Sequence, residues 1–92
     1  MEVVSVNTKQ TGNPAGNWKA DPDRLRQCDY VLDESSGKVY SFTGVSNPDS
    51  NGRVNFKGMT EETDPQVINQ VASNIDTSHP QGDSNPVHYH TI

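Results

Sequence analysis

The side chains with the most capacity for chemistry stand near the carboxyl end of this 92-residue chain, where Asp76, His79, Asp83, His88 and His90 fall within fifteen positions. On an extended strand, His88 and His90 project from one face about 7 Å apart. That spacing lets two imidazoles share an ion. With a carboxylate such as Asp83 as third ligand, the set suits zinc or another transition metal. No HExxH-type helix supports it, and a pair of solvent-facing histidines on an edge strand is the competing reading. The same pair invites a phosphoesterase-like acid–base reaction, which needs groups on opposite sides of a phosphate and a cation to hold its charge. No Lys or Arg follows Lys57, so Arg24, Arg26 or Lys57 would have to arrive by folding.

Other reactive types are sparse. Cys28 is the sole cysteine, which excludes a disulfide framework and a cysteine-based zinc site. It reads as a small buried residue where a helix meets a strand. Gly12 and Gly16 lack the strand–turn–helix setting of a phosphate cradle. Trp18 sits in a Gly- and Asn-rich loop, where it either anchors the loop on the core or contacts a partner.

Charge divides the chain. Residues 1–57 hold all seven Lys and Arg and seven acids, whereas Glu61, Glu62, Asp64, Asp76 and Asp83 leave the remainder at −5. A partner of that last third is expected to be basic, and no nucleic acid is expected, because phosphate binding needs cationic side chains. The alternative is a solvated acidic face that aids solubility. No apolar run is long enough for a membrane span. Neither is a basic-then-apolar leader visible after Met1. With the lone cysteine, these features set the expectation of a reducing, cytoplasmic setting.

The elements that must position these residues follow from composition and periodicity. Ten valines against two leucines favour pleated sheet. Only 29% of residues are apolar, so the core is small and self-association is expected to help. Glu2 to Val6 reads as a strand. Asp21-Pro22 and Asp64-Pro65 each combine an N-cap with a proline suited to the first helical position. Asp29 to Ser46 reads as a hairpin turning at Gly37, and Arg53 to Met59 as a third meander strand after Asn51-Gly52. Val67, Ile68, Val71, Ala72 and Ile75 form one helical stripe. A Ser-, Pro-, Gly- and Asp-rich loop spans 76–86, and Val87 to Ile92 alternates as a terminal strand.

The expected fold is therefore a single α+β domain over residues 1–92, in the order β, short α, β, β, β, α, β. Alternation places Tyr30, Leu32, Tyr40, Phe42, Val54 and Phe56 on one face, covered by the helix, and leaves the other face polar. The strands at 2–6 and 87–92 are candidate edges, and the first carries neither proline nor lysine to discourage pairing. The expected function is that of a small acidic, non-enzymatic binding or accessory protein acting through protein–protein contacts, with a homodimer as one form. Trp18, Glu61, Glu62 and Tyr89 are its expected binding residues. The alternatives are the metal-dependent or acid–base enzyme above, and a small-ligand binder with an aromatic pocket of Trp18, Tyr30, Tyr40 and Tyr89.

Overall fold

A computed structural model of the protein describes residues 1–75 and 87–92. The expected loop at 76–86, with Asp83, lies outside them. Among the described residues the elements follow in chain order: β1 (Glu2–Val6), α1 (Thr8–Thr11), β2 (Trp18–Lys19), α2 (Pro22–Arg26), β3 (Tyr30–Asp33), β4 (Val39–Ser41), β5 (Gly44–Val45), β6 (Arg53–Val54), β7 (Phe56–Lys57), β8 (Thr60–Glu61), α3 (Pro65–Asn74) and β9 (Val87–Thr91). The class is α+β, with a mixed and mostly antiparallel sheet and one helix of substantial length.

The main sheet runs β8-β4-β3-β1-β9. Among the described residues its single parallel pair is β1 with β3, joined through α1, β2 and α2. β1 lies inside the sheet rather than at its edge, and its run Val3-Val4-Ser5-Val6 is buried on both faces. A near-continuous apolar strand is what two-sided burial requires.

Both faces are covered, where the alternation pattern led us to expect one. Val3, Leu32 and Val39 face α3, meeting Val71 and Ile75 with Tyr30, Val67 and Ile68 at the margin. Val4, Val6, Val31 and Val87 face the other way, beneath Trp18, Leu25, Cys28, Val54 and Phe56. Tyr40 and Phe42 belong to this second core, not to the side of Tyr30 and Leu32. The cause is register: Val31 pairs with Tyr40 and Leu32 with Val39. A one-residue difference in pairing exchanges every face.

The segment 53–59 also departs from a plain third strand. Arg53–Val54 pairs with β2, and Phe56–Lys57 pairs with β5. Between them, Asn55 Oδ1 accepts from the Asn17 backbone N–H at 2.9 Å, and the Asn55 backbone N–H donates to Ser46 Oγ at 2.9 Å. Val54 and Phe56 still share one buried face. The meander partner of β4 is instead β8.

Local signals explain the helices. Asp21 accepts from the Asp23 amide at 3.0 Å and Asp64 from the Gln66 amide at 2.9 Å, each ahead of a proline. These caps satisfy donors that the first turn leaves unpaired. Gly37 closes the β3–β4 turn at φ +76°, a conformation costly for other residues.

Candidate functional site

Among the described residues β9 ends the main sheet on one side, and the register decides what it presents. Met1 and Ile92 exchange both of their hydrogen bonds, at 2.9 and 2.8 Å. Antiparallel pairs alternate between hydrogen-bonded and non-hydrogen-bonded. Counting inward from Met1–Ile92, Val3–His90 and Ser5–His88 are therefore bonded pairs, and Glu2–Thr91, Val4–Tyr89 and Val6–Val87 are not. The backbone amides and carbonyls of Val87, Tyr89 and Thr91 thus turn away from β1, toward the outer edge.

The side chains of this strand divide by face. Tyr89 lies on the side of Val4 and is 36% exposed, more than any other large apolar side chain among the described residues. The Arg24 guanidinium covers its ring at 4.3 Å from the centroid. Arg24 is held in turn by Glu2, with Nη2 donating to Oε2 at 2.8 Å. Thr91 Oγ1 donates to the other Glu2 oxygen at 2.6 Å. The Thr91 hydroxyl and the Arg24 guanidinium together hold the Glu2 carboxyl below the usual range, and Glu2 in turn raises Arg24. Arg24 is thus the clamp that fixes Tyr89 and joins α2 to β1 and β9. Sequence reasoning missed Arg24 and Glu2, since no local spacing links positions 2, 24 and 89.

His88 and His90 share the opposite face, with α3. His90 Nε2 lies 2.9 Å from Ser5 Oγ. Among the described residues, no three His, Cys, Asp or Glu side chains converge as metal ligands. Asp83, the expected third ligand, lies outside those residues.

Trp18, one of the expected binding residues, takes the anchoring position. It is fully buried and donates from Nε1 to the Pro14 carbonyl at 3.1 Å. An indole is the largest side chain available to a core this poor in apolar residues, and burying it folds the 12–17 loop onto the sheet. Of the residues of the expected aromatic pocket, Tyr30 packs on the α3 side while Trp18, Tyr40 and Tyr89 lie on the other. Glu61 stands on β8 with Lys38 Nζ 3.7 Å away. Glu62 accepts from the Thr63 and Asp64 amides at 2.9 Å each, shaping the entry to α3.

A separate cleft of about 390 Å³ opens between Arg26, Cys28, Phe42, Thr43, Gly44, Val45 and Lys57. Burial raises the Cys28 thiol above its usual value, partly offset by Arg24. A thiol so raised is a poor nucleophile at neutral pH. Arg26 is committed to Asp23 at 2.7 Å and to the Val45 carbonyl at 3.2 Å.

No family model, curated protein or solved structure matches this chain. Among the described residues, no helix is long and apolar enough to cross a membrane.

Proposed function

We propose that this chain is a non-enzymatic binding protein that engages another polypeptide by extending its main sheet at β9. The observation that supports this most is the pairing register, which points the amides and carbonyls of Val87, Tyr89 and Thr91 outward from a terminal strand. Among the described residues no strand pairs with this outer ladder, and a ladder of this kind is a template for an added strand. β9 contains no lysine, proline or acid to discourage pairing. Tyr89, ordered by Arg24, adds an aromatic anchor beside the backbone ladder, the kind of residue that carries interface energy.

Selection of extended peptides from a random library tests this. Peptides are expected to bind the full chain and to lose binding with Tyr89→Pro, which removes an outward N–H but no bond to β1. Tyr89→Phe should keep most of the affinity. Circular dichroism of both variants checks that the fold survives. Failure to select any peptide, or binding indifferent to Tyr89→Pro in a folded protein, overturns the proposal.

A further inference from the structure

Resting on the edge reading above, we infer that the occupant of β9 is β9 of a second copy, paired antiparallel about a two-fold axis through Tyr89. The segment Val87-His88-Tyr89-His90-Thr91 reads almost the same in both directions. A two-fold axis requires such self-complementarity, because each residue meets its own mirror position across it. Of the axes available along the strand, one centred on Tyr89 pairs all five residues. Val87 then stands opposite the partner's Thr91, and His88 opposite the partner's His90.

The register agrees with this axis. Val87, Tyr89 and Thr91 carry the outward amides and carbonyls, and they are the residues that such an axis turns into hydrogen-bonded pairs. Each then donates one bond and accepts one. The faces match as well. Two tyrosines meet on the Arg24 side, covering ring surface that the single chain leaves 36% exposed. On the α3 side, histidine neighbours histidine. Charge does not oppose the contact. β9 has no Lys, Arg, Asp or Glu, and the nearby Arg24 is paired with Glu2 at 2.8 Å. The added strands join two five-stranded sheets into one continuous sheet. An interface of one short strand is small, at the weak end of specific contacts, so dissociation constants in the roughly micromolar to millimolar range follow.

Sedimentation equilibrium of the full chain between about 1 µM and 1 mM spans that range. The mass is expected to rise from 10.1 kDa toward twice that value. Tyr89→Pro should hold it at one chain, and Tyr89→Phe should leave the rise in place. Oxidative cross-linking then reads the axis directly, in a Cys28→Ser background that removes the native thiol. Tyr89→Cys is expected to give a covalent dimer, since hydrogen-bonded pairs hold Cα atoms about 5.5 Å apart, within disulfide reach. His88→Cys should not, because the axis offsets the two copies of that position along the strand.

A single-chain mass across the whole range overturns self-pairing, and so does association that ignores Tyr89→Pro or cross-links equally at position 88. If the chain stays single yet binds extended peptides in a Tyr89→Pro-sensitive way, the edge reading stands and only the second copy is wrong. If neither occurs, both fail.

Discussion

Among the described residues the ten-residue helix α3 covers one face of the sheet, while on the other Trp18, Leu25, Val45, Val54 and Phe56 arrive from separate short elements. The helix is the most regular element in the chain, yet it commits only Val71 fully to the interior, with Val67 and Ile68 half-buried. The irregular face buries an indole, a leucine and Val54 almost completely. Regularity and burial are thus distributed oppositely. Local hydrogen bonding makes α3 regular without requiring that it bury much, whereas the short strands over the other face are held by packed side chains such as Trp18, Val45, Val54 and Phe56.

The largest test of that contrast is Trp18→Ala. Truncating a fully buried large aromatic costs about 3–5 kcal/mol, a substantial share of what a small domain has. Thermal and urea unfolding should show a protein that is mostly unfolded or barely folded at room temperature. Trp18→Phe should be milder, losing part of the ring and the bond to Pro14. If Trp18→Ala melts like the parent, the irregular face is not where stability resides.

Asp33 sharpens the same comparison from a polar side. It shares the parity of Val31, is only 3% exposed, and takes hydrogen bonds from the Thr8 and Ser35 amides and from the Thr8, Ser35 and Ser36 hydroxyls. Burial works to raise this carboxyl, but the bonds from Ser35, Thr8 and Ser36 prevail and hold it below its ordinary value. A depressed folded value means stability that is complete above about pH 4 and lost as the pH falls through that lower value. Asp33→Asn is therefore expected to destabilise by about 1–3 kcal/mol at neutral pH. Denaturation at pH 7 and at pH 3 should show the gap from the parent narrowing in acid. A gap that stays constant would mean that the charge contributes nothing beyond what the amide can replace.

How much of this was legible follows the same division. The caps at Asp21-Pro22 and Asp64-Pro65 and the turn at Gly37 act over a few residues, and each appears where the sequence placed it, whereas the stripe of α3 is narrower than its spacing suggests because Ala72 is exposed. The face of Tyr40 was not legible, because it depends on the register set across the 34–38 turn rather than on alternation within β4. Nor was the interior position of β1. Its valines suited an edge or a centre equally until the parallel pairing with β3 was known. At the candidate site, Tyr89 and the terminal strand stood out by composition. Arg24 and Glu2 did not, since a contact among positions 2, 24 and 89 leaves no periodic trace.

The smallest expected effect bears on the helix itself. The apolar spacing of α3 placed Ala72 in the same stripe as Val71, but Val71 is fully buried and Ala72 is exposed. Val71→Ala removes two methyl groups from the contact with the sheet and should cost about 1–2 kcal/mol. Ala72→Lys should stay within about 0.5 kcal/mol of the parent, since lysine is a good helix former and its charge stays in water. Urea denaturation of the two variants side by side measures the width of the buried stripe. Equal losses at both positions would mean that α3 covers the sheet as broadly as Trp18 and its neighbours do. The contrast between the two faces would then be one of regularity alone, not of burial.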